Sequence, residues 1–526
     1  MDFKTELAEF NPAPDLAHWV SATFSQLQSQ AHQTRQTLAS RDLELAARDT
    51  ELKAAQLKIQ ALTLELAHHR RIRFGHKNEA FSPEQRDLFQ ETWNVDLGAI
   101  EAEVEQAAPA VRAQRQPTGR QALPEHLPRI EHRHEPESCT CGQCGNALVK
   151  IGEDISEQLD VEPARFFVQR HIRPQYACRA CETVVAAPIP AAVIDGSLAA
   201  PGLLAWVVTQ KYLDHLPLYR MEQISQRQGV GIARSTLAEW VGRVGVALQP
   251  LADRMATLLK LRSVLHADET PVAQLDPGKG KTHRSYLWTY RSNDLDTGPP
   301  IVVFDYQTSR SGRHVRDFLV GWQGCLMVDD YAGYKALFQG GVTELACLAH
   351  ARRKFFEIDA ANPHPLAQVA LVRIAELYAI EQQARDWDAK ARAELRQREA
   401  QPKLAAMHAW MIGTRLTVAD NSGMARALDY SLKRWPAIKR YAEDGWRPID
   451  NNPVENAIRP IALGRKNWLF AGSERAGKRA AVIQSLLATA KLNGIEPCAW
   501  LKQTIEKLPV WPNSRIDELL PLRLSG

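Results

Sequence analysis

Apolar stretches long enough to cross a membrane are absent from the sequence, because no uninterrupted run approaches the roughly 20 residues that a spanning helix needs. The first residues, MDFKTELAEFNPAP, lack the basic segment and apolar core of a secretion signal. A net charge of +4 over 526 residues does not by itself indicate a nucleic-acid partner. We therefore expect a cytoplasmic protein with no membrane partner, and its function must be sought in local patterns.

Cysteine is scarce and unevenly distributed, since five of the eight Cys residues lie close together in the second hundred residues. In a chain without an export signal, such clustering indicates metal ligation rather than disulfides. Two C-x-x-C pairs, Cys141/Cys144 and Cys178/Cys181, predict a closed four-thiolate Zn²⁺ site of the zinc-ribbon kind. Cys139 could replace Cys141 as a ligand, and unligated buried cysteines are the alternative.

Glycine and proline are missing from residues 30–70, which predicts a long helix. One row of a heptad repeat is apolar throughout: Leu38, Leu45, Leu52, Ile59 and Leu66. The second row is poor, because it contains Arg41 and Arg48. The pattern allows self-association through a coiled coil, and the alternative is a helix folded back on its own chain.

A helix-turn-helix pattern follows the cysteines. LYRMEQISQRQG and ARSTLAEWVGRV each carry an apolar stripe, and Gly229 lies in the short turn between them. If the motif binds DNA, the second helix presents Arg234, Ser235 and Thr236 at its start. The alternative is two bundle helices joined by a turn.

Two short strand-like runs, SVLHAD and CLMVD, are expected to end in carboxylates. Asp268 ends the first, Asp329 and Asp330 follow the second, and side-chain alternation turns Glu269 away from Asp268. A third acid on a helix, Glu455, would complete an oxygen cage for Mg²⁺, and two such ions suit phosphoryl transfer. The alternative for Glu455 is a capping acid behind Asn452 as the N-cap.

Basic residues surround the last of these acids, with eleven Lys and Arg against five acids from residue 431 to 479. Such a surface is typical of phosphate binding. Trp468 could stack on an exposed base, or pack in the core, and His350 could likewise be a core residue. The candidate DNA-contacting residues here are His350, Arg352, Arg353, Arg459, Arg465, Lys466 and Trp468.

Five motifs occur in order: HADET, DDYAGY, CLAHARRKFFE, NNPVENAIRPIALGRKNWLFAGSERAG and AAVIQSLLATAKLNGIEPCAWL. From about residue 71 to the end, the chain resembles transposases of the insertion-sequence-66 family. The resemblance implies a ribonuclease H-like fold with an Asp-Asp-Glu triad, here Asp268, Asp329 and Glu455, that binds Mg²⁺ or Mn²⁺. The family usually has Gly where this chain has Asp330, so Asp330 is an alternative second ligand.

We thus expect a multidomain α+β protein with a ribonuclease H-like α/β catalytic domain. The predicted parts are an N-terminal leucine-zipper-like helical region (1–81), a linker (82–136), a zinc-binding domain (137–192), a helix-turn-helix region (200–258), the catalytic domain (259–475) with an all-helical insertion (about 358–445), and a helical C-terminal domain (476–526).

The implied function is a DNA transposase that binds the terminal inverted repeats of a bacterial insertion sequence and catalyses Mg²⁺-dependent strand cleavage and strand transfer. Its partners would be double-stranded DNA (element ends and target) at the nucleoid, a second copy of the chain or more, and small accessory proteins of the same element. Two rivals are a DNA-binding regulator, or inactive relative, and a zinc-ribbon and coiled-coil scaffold.

Overall fold

The computed structural model divides into two compact units, residues 1–66 with 100–118 and residues 67–99 with 119–526. The residues that it describes are 14–74, 95, 98–100, 102–103, 123–125, 127–135, 140, 144, 146–162, 165–276 and 281–523.

One helix, α1 (Pro14–Phe74), accounts for the predicted heptad region. It runs without interruption because no Gly or Pro follows its first residue. The apolar heptad side chains described are exposed: Leu38, Leu45, Leu52 and Ile59. The side chain of Leu66 lies outside the described residues.

A small sheet forms the cysteine-rich module. Its strands are β1 (Arg129–Arg133), β2 (Val149–Glu162), β3 (Arg165–Ala177) and β4 (Val184–Ala186). β3 pairs antiparallel with β2 and β4 and parallel with β1. Strand β1 falls within the stretch expected to be a linker, so regular structure begins before residue 137.

Four helices follow, α2 (Pro201–Tyr212), α3 (Leu218–Arg227), α4 (Arg234–Ala247) and α5 (Gln249–Leu259). The α3–α4 turn contains Gly229 at φ +77°, a left-handed conformation that Gly adopts without strain. Leu218 and Met221 of α3 and Leu237 and Val241 of α4 are buried in one core with the sheet of the cysteine-rich module. The apolar stripes therefore position this helix pair by packing.

A five-stranded sheet with the order β7-β6-β5-β8-β9 forms the centre of the larger unit. Its strands are β5 (Val264–Leu275), β6 (Thr282–Ser292), β7 (Val302–Gln307), β8 (Cys325–Val328) and β9 (Thr343–Ala346). β5, β6 and β7 pair antiparallel, whereas β5, β8 and β9 pair parallel.

The expectation that a strand ends at Asp268 is wrong. Strand β5 continues to Leu275 because Thr270 and Val272 extend its pairing with β6. Asp268 therefore lies within the central strand, and it is half-buried.

Helices cover both faces of this sheet. Between strands lie α6 (Gly312–Phe318) and α7 (Lys335–Gln339). After β9 come α8 (Leu348–Ala361), α9 (Pro365–Gln383), α10 (Ala389–Leu395), α11 (Gln401–Arg415) and α12 (Gly423–Lys439), which share a core of their own. The chain then forms α13 (Asn452–Trp468), α14 (Glu474–Leu492) and α15 (Pro497–Lys507).

Helices α13 and α14 pack on one face of the sheet, where Ile461 and Ala481 meet Val272, Phe304 and Tyr306. This packing carries the first turn of α13 to β5. In the part of the chain that the structure describes, no helix is both long and apolar enough to span a membrane.

Candidate active site

Two of the predicted carboxylates belong to neighbouring parallel strands, one within its strand and one just after it. His266 of β5 is paired with Met327 of β8. Two residues further along the chain in each case are Asp268, within β5, and Asp329, which directly follows β8. Because neighbouring strands lie about 4.8 Å apart, this register brings the two acids next to each other.

The surroundings of Asp268 disfavour the ionised form of its carboxyl. Burial raises the pKa of its carboxyl to about 8, and the negative charges of Glu269, Asp329 and Glu455 add to the increase. The backbone N–H of Glu269 donates to Asp268 Oδ1 at 2.8 Å and opposes the shift only in part. The third predicted acid is thus close enough for its charge to act on the first.

Glu269 points to the other face of β5, where its side chain is fully buried. Its carboxylate accepts hydrogen bonds from the Tyr334 hydroxyl at 2.7 Å and from Arg310 Nε at 2.8 Å. Burial nevertheless raises the pKa of Glu269. The Arg310 guanidinium also lies 3.9 Å from the centre of the Tyr331 ring. Glu269 therefore fastens the loops after β7 and β8 to the strand that carries Asp268.

Asn451, just before α13, fixes the helix start on β5. This fully buried residue donates from Nδ2 to the Ala267 carbonyl at 3.0 Å, and its Oδ1 lies 3.0 Å from His266 Nδ1. Burial lowers the pKa of His266 to about 4, so the ring is neutral. The expectation of Asn452 as N-cap is wrong, because Asn451 is the N-cap and its side chain bonds β5 instead of the helix.

Glu455 lies in the first turn of α13 and faces α8. Its Oε2 is 3.5 Å from Arg353 Nη2, and its Oε1 is 3.6 Å from His350 Nδ1. Two residues predicted to contact DNA are therefore the immediate neighbours of the third acid.

The Asp330 carboxylate pairs with basic side chains of α12. It faces Arg434 at 3.3 Å and Lys433 at 3.5 Å. The buried Arg434 guanidinium also donates to the Asp329 carbonyl at 2.9 Å and pairs with Glu344. The helical segment thus holds the backbone of the Asp329–Asp330 turn, while the Asp329 carboxylate accepts the N–H of Tyr331 at 2.8 Å.

An open cleft of about 500 Å³ lies beside these acids. Its lining includes Arg310, Asp329, Tyr331, His350, Arg353 and Lys354. Arg353 and Lys354 are exposed on α8. The cleft is therefore polar, and both basic side chains and the Asp329 carboxylate line it.

The sulfur atoms of Cys144, Cys178 and Cys181 converge at one end of β3. Cys144 Sγ lies 3.3 Å from Cys178 Sγ and 3.7 Å from Cys181 Sγ. Tetrahedral Zn²⁺ with bonds of about 2.3 Å separates its sulfur ligands by roughly 3.8 Å, so the cluster suits zinc. Cys141 and Cys139, the candidates for the fourth ligand, lie outside the described residues.

The other candidate DNA contacts lie at the surface of the larger unit. Ser235 is exposed at the start of α4, with Arg234 and Thr236 half-buried, and the Arg234 N–H donates to Glu222 at 2.9 Å. Arg352, Arg459 and Lys466 are exposed.

The two remaining candidates have partners within the protein. Arg465 donates to the Pro271 carbonyl at 2.7 Å. Trp468 is half-buried against the apolar cluster under α13, which favours core packing over base stacking.

Sequence reasoning missed Arg310, Tyr334, Asn451 and Arg434. Tyr334 and Asn451 lie within the motifs DDYAGY and NNPVEN. The many polar residues of these motifs could have indicated that the two residues belong to the site. Arg310 and Arg434 stand in no motif, and their roles depend on contacts with residues far away in the sequence.

Comparison with known families and proteins identifies relatives over most of the chain. The family described as "Transposase IS66 family" matches residues 196–479, more than half of the chain. The "zinc-finger binding domain of transposase IS66" matches residues 138–182, the "IS66 C-terminal element" residues 485–522, and "Transposase C of IS166 homeodomain" residues 61–131. The resemblance and the zinc-binding domain inferred from sequence are confirmed.

Similar proteins occur in Sinorhizobium fredii (strain NBRC 101917 / NGR234). The uncharacterized protein y4qI is 38% identical over 469 residues, which cover 86% of each chain. The uncharacterized protein y4jD is 36% identical over 479 residues, 88% of this chain and 94% of that relative.

Proposed function

The chain belongs to the IS66 transposase family, and we propose that it is a DNA transposase that uses Asp268, Asp329 and Glu455 to hold divalent ions. In this proposal the enzyme hydrolyses a strand at each element end, and the exposed 3′-hydroxyl then attacks target DNA. Both steps are displacements at phosphorus, so one set of carboxylates serves for both.

The sheet supports a ribonuclease H-like catalytic domain. Its first strand, β5, is central, with an antiparallel pair on one side and a parallel pair on the other. Asp268 lies on that central strand, and Asp329 directly follows its parallel neighbour. A fold alone does not determine function, so the site must carry the proposal.

The observation that carries it is the convergence of the acids, since Asp268 and Asp329 follow a paired register and Asn451 bonds the start of the Glu455 helix to β5. The charges of Asp329 and Glu455 both raise the pKa of Asp268. Carboxylates gathered without enough cations are costly in a folded protein, and a bound Mg²⁺ or Mn²⁺ would relieve that cost. The oxygen ligands thus fit a hard divalent ion, which when bound supplies activation of the attacking oxygen and stabilisation of the leaving oxygen.

Neighbouring residues have separate tasks in this proposal. Glu269 positions Asp268 through its bonds to Arg310 and Tyr334. Arg353 and Lys354, at the mouth of the cleft, bind the phosphates that flank the cleaved bond. Asp330 is no ligand, because its carboxylate is occupied by Arg434 and Lys433.

Double-stranded DNA is the proposed partner, with the zinc module and the start of α4 contacting the element ends. Synapsis of two ends requires at least two copies of the chain. The exposed apolar row of α1 supports self-association through that helix, since a coiled coil buries such a row. Small accessory proteins of the same element remain a proposal from the family resemblance.

Strand cleavage by the purified full chain tests the proposed function. The substrate is the DNA that flanks the gene and contains its terminal repeats. We expect cleavage with Mg²⁺ or Mn²⁺ but not with Ca²⁺. Asp268→Asn, Asp329→Asn and Glu455→Gln should each abolish cleavage and leave binding of the end nearly intact.

Asp305→Asn is a matched control, since Asp305 is another half-buried carboxyl of the same sheet whose pKa is raised by burial. It should retain cleavage. Binding of the ends without cleavage under every metal condition would instead favour a DNA-binding regulator.

A further inference from the structure

A thiol and an imidazole converge on the far side of Glu455. Cys347 immediately precedes α8, and His350 lies three residues later on the same helix face. The Cys347 sulfur, a ring nitrogen of His350 and a carboxylate oxygen of Glu455 all lie within 4.8 Å of one another.

Two of these ligand atoms have no hydrogen-bond partner among the described residues. Glu455 Oε1 and His350 Nδ1 are both closed to solvent, and neither makes a hydrogen bond. They face each other across 3.6 Å. Because buried polar atoms are normally satisfied, this pair indicates a position for a shared cation.

Two backbone N–H groups orient the Cys347 sulfur. It accepts the Asn451 N–H at 3.2 Å and also accepts a backbone hydrogen bond from His350. Such bonds orient metal-bound thiolates.

We propose that Cys347, His350 and Glu455 form a second zinc site, separate from the cysteine-rich module. A thiolate with an imidazole suits Zn²⁺ and is a poor ligand set for Mg²⁺. Three protein ligands leave a fourth position for a water molecule.

The site has a regulatory consequence, and this part rests on the proposed function. Glu455 is then a ligand both of Zn²⁺ at this site and of Mg²⁺ at the Asp-Asp-Glu site. Zinc held by Cys347 and His350 draws the Glu455 carboxylate away from Asp268 and Asp329, so zinc at this site inhibits Mg²⁺-dependent cleavage.

Zinc stoichiometry of the full chain tests the site without reference to catalysis. The purified protein, kept reduced and dialysed against ZnCl₂, should bind one ion in the cysteine-rich module and one here. His350→Ala and Cys347→Ser should each lose one ion. Cys178→Ser should lose the other ion and keep this one.

Cys325→Ser is the matched control, because Cys325 packs in the same apolar cluster as Cys347 but is outside the ligand set. It should retain both ions. Cobalt provides a second readout, because thiolate-to-Co²⁺ absorption from this site should disappear in Cys347→Ser and persist in Cys325→Ser.

Three results would overturn the proposal. A single zinc in the wild-type chain would leave His350 and Glu455 as an ordinary ion pair. Retention of both ions in His350→Ala would place the second ion elsewhere. Loss of the second ion in Asp329→Asn, with retention in Cys347→Ser, would assign it to the Asp-Asp-Glu acids.

Inhibition is measured as the ratio of cleavage with and without zinc at fixed Mg²⁺. The zinc concentration for half-inhibition should rise about tenfold or more in Cys347→Ser, the usual loss of affinity when a metal site is weakened. The same concentration in both proteins would contradict the regulatory role. Two zinc ions in a chain that cleaves no DNA would uphold the site and reject the proposed function.

Discussion

Replacing Asp268 with Asn should stabilise the protein in Mg²⁺-free buffer while removing its response to Mg²⁺. The amide has the shape of the carboxyl and keeps an oxygen for the Glu269 N–H. It removes the ionisable group, and with it the cost of keeping a proton on the carboxyl at a pH where the unfolded chain has released it.

The magnitude follows from the pKa. With an ordinary value of 3.8 and a folded value of about 8, the Asp268 carboxyl keeps its proton at pH 7. Each pH unit above 3.8 is worth about 1.4 kcal/mol, so the cost at pH 7 is about 4 kcal/mol. Relaxation and water entry reduce such costs, and we expect about 2 kcal/mol, or a Tm increase of about 4 °C.

The pH dependence has a definite sign. The folded state binds a proton that the unfolded chain has released, so wild-type stability falls as pH rises from about 4 to about 8. Asn does not titrate. The advantage of Asp268→Asn should therefore widen across that window and become constant above it.

Thermal unfolding with and without Mg²⁺, at pH 5 and pH 8, measures both effects. Wild type should gain stability from Mg²⁺, and Asp268→Asn should not. Asp305→Asn should keep the Mg²⁺ response. A lower Tm for Asp268→Asn than for wild type at pH 8 without Mg²⁺ would refute the electrostatic reasoning.

Three further variants test other contacts. Asp330→Gly should retain DNA cleavage with divalent ions, whereas inactivity that resembles Asp329→Asn would assign the second ligand to Asp330. Asn451→Ala should destabilise the chain by about 2–4 kcal/mol in denaturant unfolding, since it leaves buried partners unsatisfied, and a change below 0.5 kcal/mol would contradict its role in docking α13. Cys178→Ala should lose one zinc by metal analysis and weaken binding of the element end, and unchanged binding would exclude the zinc module from end recognition.

Local sequence patterns predicted several elements of the fold. The heptad residues predicted α1, and the apolar runs before Asp268 and Asp329 predicted β5 and β8, because periodicity reflects burial directly. The end of β5 was misjudged because a polar pair, Asp268–Glu269, looks like a turn from its own sequence. Only pairing with β6 shows that the strand continues.

Local sequence patterns could not predict the contacts between residues far apart in the chain. The position of Glu455 beside Asp268 depends on Asn451, which bonds a strand about 185 residues earlier in the chain. The ion pair of Asp330 depends on Arg434, about 104 residues away. Neither pairing leaves a local period, so the residue pattern only suggested the three acids, and the family resemblance made them the predicted triad.

The most direct test of the central claim is anomalous scattering from Mn²⁺ in crystals of the full chain bound to an element end. The account predicts Mn²⁺ enclosed by the carboxylates of Asp268, Asp329 and Glu455 beside the cleaved phosphodiester. Mn²⁺ held without Glu455, or bound only at a different set of residues, would contradict it.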